Sequence, residues 1–261
     1  MINVFVSLAA IMAFLFGQAA TPTRSTYSYD LYDRRAIRYQ NPDLTACTAA
    51  MTQSMLNTIY YASSRPLSAA TAVQAAQPTF TWKPTLSQRT QKSILLYERS
   101  HMTMYTGTLG SDVHGWRNAL NYYGWGSIDA GVYKDLSYTT FDQAIKATVR
   151  EIAMTNEPVG ILSEYGSHAQ IATGYSVTGA DPRTGSLDFK VNGVYLTDPL
   201  RERRFTDHYV PYQEWKTTGQ PLVRFFPFLQ VDSVIKDPID GQIGRREWWK
   251  KFVIVAVVLP N

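Results

Sequence analysis

The chain contains a single cysteine, Cys47, whose thiol can act as a nucleophile once it has lost its proton. Cys47 begins the stretch "CTAAMTQSMLNTIYY", in which small or apolar residues recur every three or four positions and predict an amphipathic helix over Cys47–Tyr61. Asp43 or Thr45 is the predicted N-cap. The dipole and unpaired amides of a helix N-terminus stabilise a thiolate, so Cys47 is a candidate nucleophile. The alternative is a small, buried apolar residue.

A nucleophilic thiol needs a neighbouring base, and a histidine is the usual one. The four histidines are His101, His114, His168 and His208. His168 lies in "PVGILSEYGSHAQIATGY", after a turn predicted at Gly166–Ser167 and at the first position of a predicted strand. A side chain at that position projects from the sheet edge, where it can face a helix terminus. His168 is therefore the candidate base; a surface hairpin histidine is the alternative, and His114 is the rival base.

A carboxylate beside the base would fix its tautomer and stabilise the imidazolium. Thirty residues after His168, the stretch "VNGVYLTDPL" runs a predicted strand into Asp198 and Pro199. Because proline ends a strand ladder, the carboxylate of Asp198 is predicted at the strand end. An aspartate before a proline is also a common turn former, so Asp198 becomes a candidate only together with Cys47 and His168.

Attack of a thiolate on a carbonyl creates an oxyanion, which needs hydrogen-bond donors. Gln40 and Asn41 precede Cys47 by seven and six residues. The side-chain amide of either one, together with the backbone N–H of Cys47, would supply two donors. Gln40 is preferred for its longer reach, Asn41 remains the second choice, and ordinary turn residues are the alternative.

The elements that must position these residues fall into two groups. Helices are predicted over 47–61, over 86–97, over the stretch "DVHGWRNALNYYG", and over the stretch "TTFDQAIKATVREIAMTN" entered through Thr140 and Asp142. Short β-branched or aromatic runs after residue 156 predict strands, including residues 221–228 and a central, covered strand in "FVIVAVV". Helices followed by strands predict an α+β fold, with the helices packed on a mainly antiparallel sheet.

The first twenty residues carry no charge, and their apolar run from Val4 to Phe16 is typical of a signal peptide and short for a membrane span. Cleavage is predicted near Ala19 or Ala20, which makes the protein secreted or bound to the cell envelope, without a stable membrane span after cleavage. An uncleaved anchor with the domain on the cytoplasmic face is the alternative, because the nearest positive charges follow the apolar run. Residues 21–35 are predicted to be a linker, and residues 36–261 one domain.

Composition argues against other classes of function. The formal net charge is only +4, and Lys and Arg are scattered, so no nucleic-acid surface is predicted. The histidines have no paired spacing and no second cysteine exists, so no metal site is predicted. No glycine-rich phosphate loop follows a strand, and no cofactor is predicted.

Four segments together resemble the papain-like cysteine peptidases of the bacteriocin-leader-processing type, including their free-standing exported relatives. These segments are "YQNPDLTACTAAMTQSMLN", "HGWRNALNYYG", "EPVGILSEYGSHAQIATGY" and "VYLTDPL", and the resemblance spans about residues 36 to 258. It implies a papain-like fold in which Cys47 is the nucleophile, His168 the general base and acid, Asp198 the orienting carboxylate and Gln40 the oxyanion donor.

The activity implied by the resemblance is hydrolysis of a peptide or related amide bond in a peptide or protein substrate, through an acyl-enzyme on Cys47. Two alternatives use the same residues. One is a binding module that kept the fold and lost turnover, and the other is a thiol acyltransferase. The sequence leaves the substrate and the oligomeric state open.

Overall fold

The computed structural model describes residues 24–42, 44–62, 73, 75–84, 90–104, 110–200, 206–218, 236–239, 241, 243 and 247–257. The predicted signal peptide, the predicted cap Asp43 and the strand predicted over 221–228 lie outside the described residues.

The described residues form an α+β fold. Its five helices are α1 (Cys47–Ala62), α2 (Gln91–Ser100), α3 (Val113–Trp125), α4 (Phe141–Thr155) and α5 (Tyr212–Thr218). Its seven strands are β1 (Thr26–Asp30), β2 (Tyr133–Tyr138), β3 (Val159–Ser163), β4 (His168–Gly179), β5 (Phe189–Thr197), β6 (His208–Pro211) and β7 (Phe252–Val257).

The seven strands build one sheet, in which six follow the order β2-β7-β3-β4-β5-β6 and the seventh, β1, pairs with β4. All of these pairs are antiparallel. Strand β4 is the longest and has two partners along one edge: β3 pairs with its first half, His168–Ala172, and β1 pairs with Gly174–Thr178. The central position predicted for "FVIVAVV" is confirmed, because β7 lies between β2 and β3.

Helices cover both faces of the sheet, which explains why β7 is apolar without interruption. Val253 and Val255 belong to a core cluster shared with α1, α2 and α3. Ile254 and Ala256, which point the other way, belong to a second cluster shared with α4 and with Trp215 of α5. The sheet therefore stands between two helical layers, with the predicted nucleophile on the α1 side.

Strand β1 lies within the segment predicted to be a linker. Tyr27 and Tyr29 alternate with more polar residues in "TYSYD", and pairing with β4 converts this short pattern into a strand. The local pattern is too short to reveal this, since the strand depends on a partner about 150 residues away. Strands β2 and β6 and helix α5 were not predicted either.

The helix boundaries follow local capping chemistry. Thr140 caps α4, and its side chain and that of Gln143 form a reciprocal capping box, which confirms the predicted entry through Thr140. Helix α2 was predicted to begin near Leu86 but begins at Gln91, where the side chain of Thr90 accepts a hydrogen bond from Ser93 N. Among the residues described, no helix is both long enough and apolar enough to cross a membrane.

Candidate active site

Cys47 is the first residue of α1 and is half-buried. Ala46 precedes it, and the carbonyl of Ala46 accepts the first intrahelical bond, from Ala50 N at 2.9 Å. Thr45 therefore lies one residue too early to be the N-cap, which corrects that prediction. Because alanine has no side-chain acceptor, Ala46 at the cap position supplies no side-chain capping bond of its own to the amides of the first turn.

The structure brings His168 and Asp198 together at one end of the sheet. His168 is the first residue of β4 and is buried, and Asp198 directly follows β5. Because β4 and β5 are antiparallel neighbours, with Ile171 opposite Thr197, the two side chains share a strand end. The atoms His168 Nε2 and Asp198 Oδ2 are 3.0 Å apart.

Gln170 and Leu200, both in the described part of the chain, also donate hydrogen bonds to Asp198. Gln170 Nε2 lies 2.5 Å from Oδ2, and Leu200 N lies 2.8 Å from Oδ1. Burial raises the pKa of Asp198, but the contact with His168 and these hydrogen bonds outweigh it, so the pKa is lowered from its usual value. The Asp198 side chain is therefore a carboxylate with a fixed orientation at neutral pH.

His168 also interacts with Cys47. Burial lowers the pKa of the His168 imidazole, whereas Asp198 and Cys47 raise it, and the result is a pKa of about 9. Since Nε2 faces Asp198, Nδ1 is the ring nitrogen left for the thiol. The surroundings thus favour an imidazolium between Cys47 on one side and a carboxylate on the other.

Gln40 lies in the segment that leads into α1, next to the end of β5. Its backbone N–H donates to Pro199 O at 2.8 Å, which joins this segment to the residue after Asp198. Its side-chain Nε2 donates to Leu44 O at 2.7 Å and carries a second hydrogen. Asn41, the second candidate, is exposed.

Gln91, which the sequence reasoning missed, fixes the backbone on both sides of Gln40. Its side-chain Nε2 donates to Tyr39 O at 2.7 Å, and its Oε1 accepts from Asn41 N at 2.8 Å. One residue of α2 thus holds the segment that carries both candidate oxyanion donors. No local signal identifies such a clamp, because Gln91 is an ordinary helix residue by type.

Two other residues of the candidate active site, Gln170 and Glu98, were not predicted from the sequence. Gln170 follows His168 by two residues in β4, and this spacing places both on one face of the strand, a signal that was present. Glu98 of α2 is fully buried and accepts hydrogen bonds from Thr48 Oγ1 at 2.5 Å and Thr52 Oγ1 at 3.1 Å, both on α1. These bonds join the first turns of α1 to α2 directly beside Cys47.

The rival base, His114, belongs to a different set of contacts. It is buried on α3, with Nδ1 2.8 Å from Thr103 Oγ1 and Nε2 3.4 Å from Asp135 Oδ2. Burial lowers the pKa of His114, but the carboxylates of Asp135 and Glu247 raise it to about 9. The pKa shifts of His114 arise from these carboxylates, whereas those of His168 arise from Asp198 and Cys47.

The chain matches no family model, no curated protein and no solved structure.

Proposed function

We propose that this protein is a thiol hydrolase of papain-like fold that cleaves a peptide or related amide bond through an acyl-enzyme on Cys47. The observation that carries the proposal is that one imidazole, His168, interacts with both the only thiol and a buried carboxylate. A half-buried thiol at a helix N-terminus, next to a histidine with a raised pKa, has the surroundings that activate a nucleophilic cysteine.

The proposed reaction has two steps. The Cys47 thiolate attacks the amide carbon, the imidazolium of His168 gives its proton to the leaving amine, and a thioester remains on Cys47. His168, now neutral, takes a proton from water, and the resulting hydroxide displaces the thiolate and releases the acid product. Asp198 holds the ring of His168 in one orientation throughout.

The oxyanion formed in each step needs donors that are already in place. The backbone N–H of Cys47 and the second amide hydrogen of Gln40 are proposed for this role. The bonds from Gln40 to Leu44 and Pro199, together with the clamp by Gln91, support it because they hold the Gln40 segment in one position. Export of the protein remains part of the proposal.

Reaction of the thiol with an electrophile tests the proposal, because Cys47 is the only cysteine and any label reports on it alone. A peptide vinyl sulfone should modify the wild type at neutral pH much faster than it modifies free cysteine. His168→Gln should react at the rate of free cysteine, and Cys47→Ala should not react.

A screen of peptide libraries, with water and added amines competing as acceptors, then identifies the product. Release of free acid supports the hydrolase, and transfer to the amine identifies an acyltransferase. Reaction of the wild type at the rate of free cysteine, without turnover, would leave only a binding module.

A further inference from the structure

A second polar cluster lies in the described core and shares no residue with the proposed active site. His114 of α3, Asp135 of β2 and Glu247, shortly before β7, each offer one possible ligand atom, and these atoms lie within 4.8 Å of one another. The three residues are far apart in the sequence and meet only in the folded chain. Asp135 and His114 are buried, and the Glu247 side chain is 28% exposed.

The hydrogen bonds around His114 define which of its nitrogens carries a proton. Thr103 Oγ1 donates to Asp112 Oδ2 at 3.2 Å, so the hydroxyl hydrogen of Thr103 is already used. The 2.8 Å contact between Thr103 Oγ1 and His114 Nδ1 then needs a hydrogen from Nδ1. In a neutral ring, Nε2 therefore carries no hydrogen and has a free lone pair.

This lone pair would point at two carboxylates. His114 Nε2 lies 3.4 Å from Asp135 Oδ2 and 3.7 Å from Glu247 Oε2. Within the described part of the chain, neither Nε2 nor Glu247 Oε2 forms a hydrogen bond, although both atoms are buried. Three electron-rich atoms in this arrangement repel one another unless a positive charge lies between them.

The spacing fits a metal ion. Zinc bonds to imidazole and carboxylate are about 2.0–2.2 Å long, so neighbouring ligand atoms in a tetrahedron are about 3.4 Å apart. The two distances from Nε2 match this separation within a few tenths of an ångström. The charge also fits: three carboxylates, those of Asp135, Asp237 and Glu247, lie within 3.7 Å of the His114 ring. Among the described residues, the guanidinium of Arg117 contacts two of them, Asp135 and Asp237.

Neighbouring residues hold the possible ligands in place through hydrogen bonds, as the residues around the ligands of a metal site usually do. Trp248 Nε1 donates to Asp135 Oδ2 at 2.8 Å, and Arg117 contacts the other oxygen of the same carboxylate. Thr103 orients the ring of His114 through Nδ1. The side chains of Asp135 and His114, the two most buried possible ligands, are therefore held in place before an ion binds.

We propose that His114 Nε2, Asp135 Oδ2 and Glu247 Oε2 bind one divalent transition-metal ion of the zinc type. A set of one imidazole and two carboxylates suits zinc better than calcium or magnesium, which prefer oxygen ligands alone. The ion would tie α3, β2 and the approach to β7 together.

The test uses the full chain without a polyhistidine tag and with Cys47→Ala, so that the thiol cannot bind metal. After removal of metal with a chelator, calorimetric titration with Zn²⁺ should show one equivalent bound, and Zn²⁺ should raise the Tm. Adding Glu247→Gln or His114→Gln should lower the affinity by about 100-fold or more. His101→Gln is the matched control, since His101 lies outside the cluster, and it should bind as the parent does.

If His114→Gln fails to fold, the affinity of Glu247→Gln for Zn²⁺ decides the question. The Glu247 side chain lies at the rim of the cluster, and glutamine has the same shape as glutamate. Absence of saturable Zn²⁺ binding to the Cys47→Ala parent overturns the proposal and assigns the positive charge to a proton on His114. Affinity unchanged by Glu247→Gln, or lost only with His168→Gln, overturns it as well.

Discussion

Gln170 Nε2 donates a hydrogen bond of 2.5 Å to Oδ2 of Asp198, the same oxygen that faces His168. Gln170 and His168 are two residues apart on β4, so one strand supplies both contacts to a carboxylate delivered by β5. Gln170 touches no reacting atom in the proposed mechanism. It is therefore a positioning residue, acting through Asp198.

Replacing Gln170 with methionine keeps the volume and removes the donor. A hydrogen bond to a charged group is worth about 1.5–3 kcal/mol, so we expect kcat/KM to fall by about tenfold or more, mainly through kcat. The measurement is steady-state kinetics of Gln170→Met beside wild type, with far-UV circular dichroism to establish that both fold alike. Unchanged kinetics in a folded variant would show that Asp198 keeps its orientation without Gln170.

Asp198→Asn tests the electrostatic role of the carboxylate. Asp198 is one cause of the raised pKa of His168, about 9, and an opposite charge at this distance shifts a pKa by about one to three units. The proposed reaction needs the imidazolium, so kcat/KM of the wild type should fall as pH rises through about 9. In the variant this alkaline limb should move to lower pH, because the asparagine side chain carries no charge.

The measurement for Asp198→Asn is the pH dependence of kcat/KM between pH 5 and pH 10, with one substrate for both proteins. Asparagine still offers an oxygen to Nε2, so the His168 ring can keep its orientation in the variant. If that orientation were lost and nothing else changed, kcat/KM would fall at every pH and the alkaline limb would not move. An alkaline limb at the same pH in both proteins contradicts the electrostatic role.

A pair of variants separates the two candidate oxyanion donors. Gln40 is half-buried and tied to Leu44 and Pro199, whereas the Asn41 side chain is exposed. Loss of an oxyanion donor costs about 10²–10³ in kcat, so Gln40→Ala should show this loss with little change in KM. Asn41→Ala is the matched control and should retain near wild-type kcat. The reverse order of effects would assign the donor to Asn41.

Parts of the fold and site that depend on local pattern could be predicted. The helix that begins at Cys47, the strand start at His168 and the strand end before Asp198 follow from apolar periodicity, glycine and proline. Relationships across the sequence could not be predicted in the same way. Strand β1 forms because it pairs with the edge of β4. Gln91 can bind the backbone on both sides of Gln40 only because the folded chain brings α2 next to that segment.

The cluster around His114 also depends on contacts between distant residues, which local sequence patterns do not predict. Asp135 and Glu247 lie 21 and 133 residues after His114, so no spacing rule connects them. The expectation of no metal site rested on the absence of paired histidines and cysteines. A search for paired histidines or cysteines does not find one histidine and two distant carboxylates, because α3, β2 and the approach to β7 bring these residues together only in the folded chain.

Glu98 provides a prediction about stability rather than activity. Burial raises the pKa of Glu98 to about 8, and the hydrogen bonds from Thr48 and Thr52 oppose this only in part. Asp112 raises this pKa and Arg99 lowers it, as smaller contributions. The folded-state pKa thus exceeds the value of about 4.5 in an unfolded chain, so the folded protein binds the extra proton between these two pH values. The contribution of Glu98 to the free energy of unfolding must therefore fall as pH rises from 4.5 to 8.

Glu98→Gln removes this proton equilibrium while keeping the size of the side chain and its partners on α1. The unfolding free energy of the variant minus that of the wild type should increase from pH 5 to pH 8.5, by an amount on the order of 4 kcal/mol. Using the difference cancels other buried carboxyls, such as Glu157, whose pKa is also raised, to about 7. Urea denaturation at several pH values measures it. A difference that stays constant with pH would mean that Glu98 ionises in the folded protein as it does in the unfolded chain, and that the contact between α1 and α2 beside Cys47 holds a charge.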